Sequence, residues 1–143
     1  MYISYPACFY GEDGGYSVFL PDWGSATCGE NTNDAIAMAV DLLAGLIYAA
    51  QQDGEPLPTA SAMKDVDPAA VYREMTGGED CTGEMFTTLV AVDVEDYARK
   101  HFTKAVKKTL TVPAWLNDQA TAAGINFSQT LQNALKEQLH ISD

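Results

Sequence analysis

Lys107–Leu139 reads KKTLTVPAWLNDQATAAGINFSQTLQNALKEQL, and its order of a β-prone run, a proline, a helix, a glycine and a second capped helix governs how the rest of the chain is read. In a strand over Val106–Val112, Val106, Lys108, Leu110 and Val112 would share one face, and Lys107, Thr109 and Thr111 the other, wholly polar one. Pro113 suits a first helical position, and Ala114 to Ala123 carries helix formers with Trp115, Leu116 and Ala120 available for packing before Gly124 ends the turn. Asn126 can cap the second helix with Gln129 three residues on, as in a capping box. Phe127, Leu131, Ala134, Leu135 and Leu139 then recur at helical spacing.

So short a segment is short of core, because units below roughly 40 residues usually need a staple or a partner. Its strand would also be an unpaired edge. Pairing with the same strand of a second copy meets both needs, with Leu110, Val112, Leu131 and Leu135 as the expected dimer core. Such a ribbon presents Lys107, Thr109 and Thr111 from both copies and fits the major groove of duplex DNA. The alternative is that Lys107–Val112 is an edge strand of an N-terminal sheet, with the two helices packed on it.

Charge separates the chain in the same way. Of its 143 residues, those up to Arg99 hold three basic side chains (Lys64, Arg73, Arg99) against seventeen acidic ones, a net of −14, while Lys100–Asp143 holds five basic against three acidic, a net of +2. Two modules with different partners are therefore expected, 1–99 and 100–143. With 47% hydrophobic residues there is material for a core. No run approaches the roughly 18 uninterrupted apolar residues of a membrane span, and MYISYPACFY lacks the basic start and cleavage site of a signal peptide. A soluble, cytoplasmic protein with no membrane partner is the expectation.

The first module begins with aromatic and β-favouring residues over Tyr2–Tyr10, a turn at Glu12-Asp13-Gly14-Gly15, and extended character again over Tyr16–Leu20, which reads as a hairpin. Pro21 and Gly24 break the strand, and Ser25–Cys28 suits a third antiparallel strand. Between Asn31 and Gln52, Ile36, Val40, Leu43, Ile47 and Ala50 recur as on one helix face, widened by Leu42 and Leu46; Asn31, Thr32 or Asn33 can cap the start, and Asp53-Gly54 closes it. Ala60–Gly83 has no sustained period beyond a short helix near Pro68–Met75. Met85–Val94 reads as a buried strand and Asp93–Phe102 as a short helix. The fold class is α+β, a small antiparallel sheet backed by one long helix, followed by the helical tail.

Two resemblances attach to these residues. The order of Lys107–Leu139 resembles the ribbon-helix-helix family of DNA-binding dimers, which implies that Lys107, Thr109 and Thr111 read bases while Asn126–Ser128 at the second helix start meets a phosphate. Tyr16-Ser-Val-Phe-Leu-Pro-Asp22, followed by Gly24, Thr27, Gly29 and the helix with Asp34-Ala35 and Ala39, resembles the HicB family of antitoxins. That resemblance implies a reduced RNase H-like domain that binds a small basic ribonuclease toxin (HicA-like) in a type II toxin–antitoxin system, and repression of its own operon. The expected partners are that toxin, operator double-stranded DNA and a second copy, as a homodimer or a tetramer built from it. Acidic residues around the hairpin and corner, Glu12, Asp13, Asp22 and Glu30, are candidates for the toxin surface, with Tyr16 or Trp23 as an apolar anchor.

Catalytic signatures are absent: there is no G-x-S-x-G, Walker loop, H-E-x-x-H or dinucleotide fingerprint. Tyr2–Tyr10 lacks the carboxylate an active RNase H would place on its first strand, and two-metal hydrolysis needs several converging carboxylates. The expectation is a binding protein with no catalytic residue, metal or cofactor; the alternative is a residual RNase H-like hydrolase dependent on Mg²⁺ or Mn²⁺. Cys8, Cys28 and Cys81 show no C-x-x-C spacing and are expected as small buried thiols, and His101 and His140 as surface residues.

Overall fold

The computed structural model describes residues 1–102 and 105–142. Lys104 and Asp143, which enter the charge count, lie outside the described residues. The chain divides into two compact units, Met1–Lys104 and Ala105–Asp143.

In the first unit, β1 (Tyr2–Glu12) and β2 (Gly15–Leu20) form the hairpin, with Gly14 at a φ of +85° supplying the left-handed turn residue. The third strand, β3 (Ser25–Gly29), pairs antiparallel with β2. Helix α1 (Thr32–Gln52) follows, and the Asn31 side chain caps it by accepting from the Asp34 amide at 2.8 Å. After a single 3-10 turn at Met63–Asp65 come α2 (Pro68–Thr76), β4 (Met85–Asp93) and α3 (Val94–His101). The strands make one antiparallel sheet in the order β3-β2-β1-β4.

Side-chain alternation assigns the two faces of that sheet. Tyr5, Ala7 and Phe9 of β1, Val18 and Leu20 of β2, and Val90 and Val92 of β4 form the core with α1. The opposite face of β1, with Pro6, Cys8 and Tyr10, is buried too, so Tyr5–Tyr10 is a continuous buried run. The cause is a second layer that sequence patterning did not assign: the Tyr10 ring lies 4.9 Å from that of Tyr72 on α2, and its hydroxyl donates to the Pro68 carbonyl at 2.8 Å. Burial pushes the Tyr10 hydroxyl pKa well up from its ordinary value. The connection from α1 to α2 is fastened on the way, since the Tyr5 hydroxyl donates to the Pro58 carbonyl at 2.6 Å.

Helix α1 buries Ala35, Ala39, Leu43, Ala44, Ile47 and Ala50, whereas Ile36, expected on the core face, is 41% exposed. The face is turned toward alanines because small side chains let the helix lie close on β3. A methyl group built on Gly29 would run into the Ala35 amide nitrogen, 2.5 Å from its Cα and 2.8 Å from the Asp34 carbonyl carbon. By length and composition α1 could pass for a membrane span, a possibility that the search for uninterrupted apolar runs did not raise; here its alanine face carries the sheet. In α3, Asp93 caps the start through the Asp96 amide, and Arg99 and Lys100 both pair with Asp96. The 99/100 division of the charge count therefore falls inside a helix.

The second unit holds α4 (Ala114–Ala122) and α5 (Phe127–Gln138), separated by Gly124 at a φ of +72°. Asn126 caps α5 by accepting from the Gln129 amide at 3.0 Å. The Gln129 side chain does not complete a capping box; it donates to Asn133 instead. Residues 105–113 carry no regular structure. The strand expected at Val106–Val112 is not formed in the single chain, because a strand needs a neighbour to share its hydrogen bonds and all four strands of the sheet come from the first unit. The edge-strand alternative for this segment is thereby corrected.

Candidate functional site

The acidic residues singled out at the hairpin and corner separate into two groups. Glu12 and Asp13 stand at the β1–β2 turn, and Glu30 follows β3, whose Gly29 pairs with Tyr16 at the start of β2. These ends converge on a shallow hollow of about 360 Å³ lined by Glu12, Asp13, Gly14, Gly15, Tyr16, Cys28, Gly29, Glu30, Asp34 and Met38. Asp34 is held in place there, its carboxylate accepting from the Glu30 amide at 2.8 Å while its own amide is taken by Asn31. The Tyr16 hydroxyl donates to Glu84 at 2.9 Å, which fixes one wall. Among the described residues none of Glu12, Asp13, Glu30 and Asp34 has an ion-pair partner. Carboxylates gathered on a concave apolar floor and left unneutralised attract a cationic surface. Sequence reading did not assign Asp34 and Met38 to this place. The signal was the helix cap at Asn31 together with Gly29, which sets the first turn of α1 against the end of β3.

Asp22 and Trp23 sit at the other end of the β2–β3 ribbon, about 17 Å away along β2 at the usual strand rise, and make contacts of their own. The Asp22 carboxylate accepts from both the Ser61 amide at 2.9 Å and the Ser61 hydroxyl at 2.5 Å. Trp23 packs on the core, edge-on to Tyr5 with ring centroids 5.4 Å apart, and its indole N–H is buried without a hydrogen-bond partner among the described residues. Asp22 thereby secures the segment that follows α1.

In the second unit no described residue is buried. Lys107, Thr109 and Thr111 are exposed, as their proposed role requires, but so are the apolar residues: Leu110 is 58% and Leu135 52% exposed, Val112 is exposed, and Leu131 is half-buried. Asn126 is committed to capping α5, and the Ser128 hydroxyl accepts from Gln132 at 3.1 Å. The first amides of α5 lie beside these two residues, and a helix start of this kind favours an anion.

Among the described residues no three His, Cys, Asp or Glu side chains gather to hold a metal ion. Cys8 is buried, and burial pushes its thiol pKa up, while Cys81 is half-buried and Cys28 is exposed at the sheet edge, where a buried thiol was expected. Cys28 escapes burial because β3 has a neighbour on one side and its outward side chain meets no covering helix. His101 is exposed and stacks on Tyr97 with centroids 4.2 Å apart. His140 is exposed.

No protein-family model matches the sequence, and no curated protein sequence matches it significantly. Among solved structures, a chain of a toxin–antitoxin complex from Streptococcus pneumoniae is 31% identical, over 96% of this chain and 99% of that one, with a TM-score of 0.62. The antitoxin HicB of Burkholderia pseudomallei is 22% identical over 96% of this chain and 98% of that one (TM-score 0.48), and the antitoxin HicB3 is 25% identical over 99% and 100% (TM-score 0.47).

Proposed function

The chain belongs to the HicB family of antitoxins, and on that footing we propose that it neutralises a small basic HicA-like ribonuclease toxin with its first unit and represses its own operon by holding operator DNA with its second. The protein is a binding protein of the cytoplasm, without catalytic chemistry of its own. The first unit is a reduced RNase H-like sheet. Its toxin-facing residues are Glu12, Asp13 and Glu30 with Asp34 around the hollow, and Met38 and Tyr16 supply apolar contact. A toxin that grips RNA is basic, and unneutralised carboxylates speed its approach and select it.

The second unit is a ribbon-helix-helix module. The observation that carries this reading is the absence of any buried residue among those described in 105–142, beside a run whose alternation asks for a strand partner. Pairing Val106–Val112 with the same segment of a second copy would cover Leu110 and Val112, and Leu131 and Leu135 would meet their counterparts. Lys107, Thr109 and Thr111 of both copies would then enter the major groove, with phosphates seated at the start of α5 near Asn126 and Ser128.

The test is fluorescence anisotropy with a labelled duplex from the promoter of the protein's own operon. Lys107→Ala, Thr109→Ala and Thr111→Ala should each cost about 1–3 kcal/mol of binding where a base contact is lost. Unchanged affinity in the combined variant would remove the repressor reading. For the first unit, Glu12→Lys with Glu30→Lys should abolish co-purification with the small basic protein encoded in the adjacent reading frame, and undiminished capture would place the toxin elsewhere.

A further inference from the structure

The free edge of the sheet at β3 borders the acidic hollow. β2 lies on one side of β3 and no strand lies on the other. Ladder alternation fixes which of its main-chain groups are spare. The Gly11 amide donates to the Glu84 carbonyl at 2.6 Å, so Gly11 and alternate residues of β1 serve β4, while Tyr10 and Cys8 serve Ser17 and Phe19 of β2. Tyr16, Val18 and Leu20 are thereby turned to Gly29, Thr27 and Ser25 of β3. The amides and carbonyls of Ala26 and Cys28 then point away from the sheet, and among the described residues they make no hydrogen bond beyond it. Both residues are exposed.

An apolar wall stands beside this edge. Met38, Leu42, Gly45 and Ala49 recur on α1 at helical spacing and form one row. Met38 shares the hollow with Cys28 and Gly29, which puts the row on the β3 side. The row is open: Met38 is 40% exposed, Ala49 is exposed, and a methyl group built on Gly45 would meet nothing within 4 Å. On the opposite flank of α1, by contrast, the Tyr97 hydroxyl of α3 donates to Asp41 at 2.8 Å, and the Phe102 ring lies 5.4 Å from that of Tyr48.

We propose that the basic partner docks by adding an extended segment to β3, an inference that rests on the reading of the first unit as the toxin-binding one. The main chain of that segment pairs with Ala26 and Cys28, and its inward side chains rest on the row from Met38 to Ala49. Charge selects the occupant. Residues 1–63 contain eight carboxylate side chains and no lysine, arginine or histidine. Glu12, Asp13, Glu30 and Asp34 stand at one end of the edge, so a second copy of this surface would set carboxylate against carboxylate, and a nucleic acid would be repelled in the same way. A cationic segment meets hydrogen-bonding groups along β3, an apolar floor beside it and unneutralised carboxylates at its end.

The experiment uses the full chain and the small basic protein encoded in the adjacent reading frame. Affinity is measured by titration calorimetry, and alkylation of Cys28 by a maleimide is followed with Cys81 as the reference in the same sample. Ala26→Pro removes a main-chain N–H that β2 does not use, and Gly45→Gln fills the open row. Each should weaken binding about tenfold, the worth of one net hydrogen bond or one blocked apolar contact, with circular dichroism unchanged. The bound partner should slow alkylation of Cys28 and leave that of Cys81 unaltered. If Ala26→Pro alters the spectrum, Gly45→Gln and the alkylation decide. Wild-type affinity in both variants would overturn the proposal even with Cys28 shielded, because the hollow alone would then hold the partner. Cys28 modified at one rate in the free and bound protein would overturn it too. Either result leaves the toxin-binding reading standing while the wild type still captures the partner, whereas no capture by the wild type would end both.

Discussion

Replacing Gly29 by alanine tests the contact that shapes the first unit. The new methyl would lie 2.5 Å from the Ala35 Cα and 2.8 Å from the Asp34 carbonyl carbon, both backbone atoms, and would collide with the Ala35 amide nitrogen. Backbone cannot rotate out of the way like a side chain, so the start of α1 must lift by roughly 1 Å, at the upper end of the overpacking range, about 2–3 kcal/mol. With a urea dependence of about 1–3 kcal/mol per molar, the unfolding midpoint should fall by about 1–2 M. Gly45, on the same helix, provides a contrast of opposite sign, because a methyl there meets nothing within 4 Å. Gly45→Ala should raise stability by about 0.5–1 kcal/mol through helix propensity alone. Urea denaturation followed by circular dichroism at matched concentration measures both. A Gly29→Ala midpoint equal to that of the wild type would refute the close seating of α1 on β3, and with it the geometry of the acidic hollow.

Three further perturbations separate the remaining contacts. Asp22→Ala frees Ser61 of two hydrogen bonds and should cost about 1–2 kcal/mol, with faster amide exchange at Ser61 and no loss of toxin capture; reduced capture would return Asp22 to the binding surface. Asn126→Ala removes the cap of α5 and should lower helicity and cost about 1 kcal/mol, whereas an unchanged spectrum would contradict that role. The N-terminal ammonium and then the Asp96 amide hold the Asp93 carboxyl below its ordinary pKa, and Lys100 followed by Arg99 do the same for Asp96. A depressed folded pKa gives support that is complete above the unfolded value and lost as pH falls through the folded one. NMR titration should therefore place both midpoints below the usual aspartate range, with α3 loosening only in that acid window. Midpoints at or above the usual value would remove the argument.

The sequence carried the local signals well and the tertiary ones unevenly. The Glu12–Gly15 turn, the Asn31 cap and the apolar run at Met85 are short-range features, and the hairpin, α1 and β4 fall where they indicate. On α1 the expected Leu43, Ile47 and Ala50 are buried and Val40 packs against the core, whereas Ile36 is exposed because the close approach to Gly29 is taken by Ala35. The second layer under Tyr10 depends on a long-range contact with α2, which no periodicity encodes. Glu12, Asp13 and Glu30, singled out from their turns, line the hollow, and Asp34 and Met38, which the sequence did not place there, join it once α1 is seated. Asp22 was indistinguishable from these until its carboxylate was seen to be occupied by Ser61. Val106–Val112 alternates like a strand yet carries no regular structure, because alternation alone supplies no partner for backbone hydrogen bonds.

Amide hydrogen exchange across Val106–Val112, followed as the protein is diluted, goes most directly to the claim that the tail is completed by another copy. Protection of alternate amides in concentrated protein, lost on dilution and restored by promoter DNA, is the predicted result. Exchange at the rate of an unstructured chain at every concentration, with or without DNA, would contradict it.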